Sequence, residues 1–291
     1  MSVKQKLTPF WLLLPFLGIT ALVLLSVWNV LVQSLGYIPA FGLTELTFDY
    51  YKSIFANPDF VSSLTVSLKI ALQSAVASCI LGVALAMALI KLRKTKGGAV
   101  YLVRFPILVP HAVVAVFMIQ LLGQTGLLAR LGYALGLLED FNQFPKLLYT
   151  SGYGGAIAAY LWKEAPFVAY FILAFMGSIS DTLGEAAENL GASPLRSFFH
   201  VTLPLSVPVI ARAFLIIFIF AFGGYELPLL LGATLPKALP VQAHLAYMNP
   251  DLKLRPAAMA MNAVILLLSL AMAAIYWILI RRVSRKLGVR S

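Results

Sequence analysis

Apolar residues run along this chain in long blocks, with the charges gathered between them. Phe10 to Val32, Ile70 to Ile90, Phe105 to Ala129 and Ala257 to Ile280 contain no Asp, Glu, Lys or Arg. Each block is about 21 to 25 residues long, enough at about 1.5 Å per residue to cross roughly 30 Å of hydrocarbon. Two further blocks are interrupted by charge. Ser151 to Ser180 contains Lys163-Glu164, and Val207 to Ala233 contains Arg212 and Glu226. Counting both as helices predicts six spans, near 10–33, 62–90, 105–128, 151–178, 207–233 and 257–280. A re-entrant or interfacial segment is the alternative for the interrupted pair. The fold class expected is an all-α membrane protein, with residues 1–291 forming a single transmembrane domain.

The segments between spans carry their own signals. The first outer loop, with Asp49-Tyr50-Tyr51 before Asn57-Pro58-Asp59, predicts a short interfacial helix ending at the Asn-Pro turn. Pro106, Pro110 and His111 predict a kink near the inner end of the third span. Gly123 to Tyr149 is expected to fold back as short helices on the outer surface. Gly82-Val83-Ala84-Leu85-Ala86 and Gly154-Gly155-Ala156 supply small residues that let backbones approach closely in lipid.

Composition agrees with the pattern: 61% of residues are apolar and 11% charged, against about one-quarter charged in soluble domains. The net charge of +11 is a topology signal rather than a nucleic-acid footprint. With both termini inside, cytoplasmic segments from Lys4 to Arg290 hold fourteen Lys and Arg, and outer segments seven. This is the positive-inside bias. The first block is too long for the apolar region of a signal peptide and lacks a small-x-small cleavage site, so its retention is expected. The single Cys79 excludes an internal disulfide and a thiolate metal site. No catalytic set and no metal-ligand spacing stands out.

The most specific segment is polar. Glu185-Ala186-Ala187-Glu188-Asn189-Leu190-Gly191 is followed after nine residues by Val201-Thr202-Leu203-Pro204. Thr182-Leu183-Gly184-Glu185 has the capping-box pattern, and the Ala pair propagates helix. Gly191 suits a left-handed end, and Ser193-Pro194 opens a second helix. Leu203-Pro204 is expected to stop that helix and hand the chain to the fifth span. The product is a helix-turn-helix on the cytoplasmic face, about 181–204, with Ala186, Ala187 and Leu190 on one stripe.

This segment resembles the EAA loop of ABC importer permeases, with Val201 where that family more often has Ile. The resemblance covers about 12–286, including Trp162-Lys163-Glu164-Ala165-Pro166-Phe167 and the basic tail. It implies a type I importer bundle of six helices in a bacterial plasma (inner) membrane. It also implies that Glu185, Ala186, Ala187, Leu190 and Gly191 dock on a separate ATPase subunit while Leu203 and Pro204 pass on force. The implied partners are two ATP-binding subunits, a second permease chain or a copy of this one, an extracytoplasmic solute-binding protein, and a small-molecule solute. No Gly-x-x-x-x-Gly-Lys-Ser/Thr loop occurs in the chain, so ATP and Mg are expected on the partner.

Intramembrane charges are costly and usually face the interior or a water-filled cavity. Glu226 follows Gly223-Gly224-Tyr225 and precedes Pro228, where a broken helix frees backbone groups. Tyr225, Glu226, Lys163, Glu164 and Gln120 are the candidates for a solute path. Internal pairing, for instance of Lys163 with Glu226, is the alternative. Gln124 and His111 are further candidates to face the cavity. Phe222-Gly223-Gly224-Tyr225-Glu226-Leu227-Pro228 is similar to permeases for polyamines and related organic ions. Phosphonate, thiamine, opine or sugar remain alternatives. A secondary transporter or channel would need no ATPase, and a membrane-embedded enzyme would need a convergent acid, base or metal set that the spans lack.

Overall fold

A computed structural model describes residues 3–92, 94–95, 97–175, 186–187 and 189–286, without the side chains of 3–11 and 283–286. Among the described residues the secondary structure is helical apart from turns and one isolated bridge, Ile38 with Leu43. The helices are α1 (Val3–Ser34), α2 (Asp49–Ala56), α3 (Pro58–Lys91), α4 (Gly98–Leu108), α5 (His111–Leu122), α6 (Leu127–Ala134) and α7 (Gly154–Phe175). They continue as α8 (Pro194–Ser197), a π-helical turn (Phe198–Thr202), α9 (Leu203–Gly223), α10 (Glu226–Leu231), α11 (Leu239–Tyr247) and α12 (Arg255–Lys286).

Six stretches are long and apolar enough to span a bilayer: Leu12–Ser34, Pro58–Lys91, His111–Ala134, Gly154–Phe175, Pro194–Gly223 and Leu252–Arg282. Two bounds differ from expectation for physical reasons. The third block, expected over 105–128, is broken after α4, because Val109 is extended before Pro110 and α5 begins at His111. A residue before proline is pushed out of the helical region, so the kink becomes a break. The fifth block, expected over 207–233, begins at Pro194 and ends at Gly223, and the remainder is the separate α10.

The chain divides into two compact units. In the unit of residues 1–60 and 242–266, α1 exposes apolar side chains around its circumference. Leu12 is 76% exposed and Trp28 65%, as suits a helix whose solvent is lipid. The Ser34 hydroxyl pairs with the Tyr51 hydroxyl at 2.7 Å, tying the expected interfacial helix α2 to the end of α1. Arg255 lies 4.2 Å from the Tyr247 ring centroid.

In the unit of residues 61–241 and 267–291, α7 is the hub against which α4, α5, α9 and α10 pack. The small residues work as expected, since a Cβ on Gly82 would collide with Val168 and the carbonyl of Ala165. Arg104 stacks 4.2 Å from the Tyr170 ring centroid, holding α4 to α7. The Ser67 hydroxyl accepts from the amide of Leu239 at 2.7 Å and so orders the start of α11.

Candidate functional site

Two places in the second unit carry chemistry. The first is the elbow between α7 and α9. Glu185 lies outside the described residues, as do Thr182 and Glu188, and the capping box with them. Ala186 and Ala187 are helical, and the helix closes as a Schellman end. The amide of Ala192 donates to the carbonyl of Ala187 at 3.0 Å across Gly191, whose φ is +91°. Ser193 then caps α8, accepting from the amide of Arg196 at 3.3 Å, with Pro194 at the first helical position.

Leu203-Pro204 does not stop the second helix. The amide of Leu203 donates to the carbonyl of Phe198, five residues back, in a π turn. The wider turn relieves the clash an α-helix would force between the Pro204 ring and the carbonyl of His200. Helix therefore runs unbroken from Pro194 to Gly223. Leu190 is 90% exposed, and Phe199 and Leu195 are also exposed. Apolar side chains on a polar elbow mark a contact surface.

The second place is a cavity of about 560 Å³ at the break between α9 and α10. Gly224 is extended, ending α9 so that α10 restarts at Glu226. The break is wedged by Tyr160, a fully buried side chain whose hydroxyl occupies the space a Cβ on Gly224 would need. Tyr225 and Glu226 line the cavity with Tyr160, Phe220 and His111. The His111 ring lies 5.0 Å from that of Phe220. Tyr160 and Glu164 fall about 9 and 15 Å from the start of α7, the latter near half the membrane depth.

Lys163, Glu164 and Gln120 do not line this cavity. Lys163 is buried and donates its ammonium to the carbonyl of Val109, the group that the break before Pro110 leaves outside the helical ladder. Glu164 Oε1 is 4.0 Å from His111 Nε2. Being about 100° apart on one helix, the two side chains reach either side of the same break between α4 and α5. Among the described residues no ion pair within 4.0 Å joins Lys163 to Glu226. Gln120 is exposed on α5, nine residues beyond His111. Tyr160 and Phe220 were not singled out from sequence. The only signal for Tyr160 is its position one turn before Glu164.

A multi-pass helical membrane protein with a cavity at a helix break and an exposed polar elbow has the build of a transport subunit. Residues 78–285 match the family of binding-protein-dependent transport system inner membrane components, and the chain belongs to that family. It is therefore a multi-pass protein of the bacterial inner membrane and a transport component rather than an enzyme. It is 30% identical over 224 residues to the sn-glycerol-3-phosphate transport system permease protein UgpA of Yersinia pseudotuberculosis, covering 74% of this chain and 73% of UgpA. It is 31% identical over 196 residues to the trehalose transport system permease protein SugB of Mycobacterium tuberculosis, covering 66% of this chain and 62% of SugB. In fold it matches a bacterial ABC transporter involved in the import of the acidic polysaccharide alginate, with a TM-score of 0.72 and 21% identity over 94% of this chain and 96% of the other. The fold is that of ABC importer permeases.

Proposed function

We propose that this chain is the permease subunit of an ATP-driven importer for a small polyhydroxylated solute, a sugar or sugar phosphate, delivered by an extracytoplasmic binding protein. Two ATPase subunits, carrying ATP and Mg, dock on the elbow around Ala186, Ala187, Leu190 and Gly191. A second permease chain or a second copy completes the pore. The continuous helix from Pro194 to Gly223 supports the coupling role, since it connects the exposed elbow rigidly to the break that bounds the cavity.

One observation carries the solute class: the cavity is walled by aromatic rings, from Tyr160, Phe220 and Tyr225, with the Glu226 carboxylate beside them. Rings stack on the C–H faces of sugars, and a carboxylate accepts their hydroxyls. The two relatives described above are named for trehalose and glycerol phosphate transport. They give no support to the polyamine expectation, which rested on the resemblance of residues 222–228 to polyamine and organic-ion permeases. Uptake of labelled sugars, sugar phosphates and polyamines by cells expressing the transport system tests this reading. Tyr225→Ala with Glu226→Gln should cut uptake about ten-fold, equivalent to about 1.4 kcal/mol, while the binding protein's affinity stays unchanged. Uptake of amines alone, or full sugar uptake by the double variant, would refute it.

A further inference from the structure

A second concavity lies apart from the first, between α9 and α12. It has a volume of about 240 Å³ and is walled by Val207, Ala211 and Phe214 on α9 and by Met272, Tyr276 and Leu279 on α12. All its lining is apolar except the Tyr276 hydroxyl, which is buried without a hydrogen-bond partner. A buried hydroxyl left unpaired is costly, so it points to an absent acceptor.

The depth of the groove narrows the choice. From Met272 to Ile280, α12 rises about 12 Å, close to the thickness of one leaflet's hydrocarbon. The groove ends at Arg281 and Arg282, both exposed, and Arg281 lies 3.6 Å over the Trp277 ring. That aromatic-and-arginine end marks the cytoplasmic headgroup level. No acidic residue follows Asp251 in the sequence.

We propose that this groove binds an anionic glycerophospholipid of the inner leaflet. One acyl chain lies between α9 and α12, the phosphate meets Arg281 and Arg282, and the Tyr276 hydroxyl donates to a glycerol-ester carbonyl about 7 Å below the arginines. A second copy of the chain fits less well, because a two-fold partner would bring its own Arg281 and Arg282 to the same depth. An anionic headgroup neutralises those charges instead.

Native mass spectrometry of the detergent-purified full-length chain, mixed with phosphatidylglycerol or phosphatidylcholine, tests the site. Phosphatidylglycerol should be retained about ten-fold more strongly, and Arg281→Gln with Arg282→Gln should bring that preference to about one. Tyr276→Phe should weaken retention while keeping the preference, and Ala211→Phe, which fills the groove, should weaken retention of both lipids. Equal retention of the two headgroups by the wild type overturns the proposal, as does a preference that survives the arginine changes. If Ala211→Phe leaves lipid bound but splits a dimer into monomers, the groove belongs to a second copy and not to lipid.

Discussion

Lys163 and Glu164 show how a single position in a membrane helix acquires its role. Both are expensive in hydrocarbon, yet each answers a demand created some fifty residues away. Pro110 takes the backbone out of the helix, the carbonyl of Val109 is left without an amide, and the Lys163 ammonium supplies the missing donor. His111, first residue of the resumed helix, faces Glu164. Lys163→Met should therefore destabilise the folded protein by about 1–3 kcal/mol, the cost of an unsatisfied buried group. A thermal-unfolding midpoint in detergent unchanged from wild type would show that the carbonyl finds another donor. Gly224 is the reverse case, a residue defined by the space it leaves, filled here by the Tyr160 hydroxyl.

At the scale of elements, the decisive feature is how α8 joins α9. A proline within a helix normally removes a bond and collides with the preceding turn. Here the π turn over Phe198–Thr202 absorbs Pro204, and the elbow's second helix becomes the base of the fifth span. Deleting Phe199 should convert the π turn to α-helix and rotate the elbow by about 100° relative to α9. The variant should insert and fold, as judged by circular dichroism, but lose solute uptake. Uptake at wild-type levels would mean that the elbow moves independently of the fifth span. The break at the other end of α9, between Gly223 and Glu226, is equally local in cause and sets one wall of the cavity.

For the whole molecule, six spans and the inward bias of basic residues predict both termini and the elbow on the cytoplasmic side. The single Cys79 makes this easy to check, since Cys79→Ala leaves a background without thiols. Leu190→Cys in that background, at a position 90% exposed, should react with a membrane-impermeant maleimide in inside-out vesicles but not in right-side-out ones. Labelling from the outer face would invert the topology and remove the elbow from reach of any cytoplasmic partner.

The number of spans and the turn from Gly191 to Ser193 followed from the sequence, because each depends on local quantities: run length and capping chemistry. The break after Gly223 was legible too, from two glycines and a nearby proline. What only the tertiary structure decided was which polar groups meet. Lys163 and Glu164 read as solute-path or internally paired residues; the structure sets both side chains against the break before Pro110, while Tyr160, silent in the sequence, wedges Gly224 at the cavity wall. Span-forming signals are short-range and additive along a helix. The fate of a buried charge depends instead on which backbone carbonyl or ring another helix brings within hydrogen-bond reach, and that is set by packing between segments far apart in the chain.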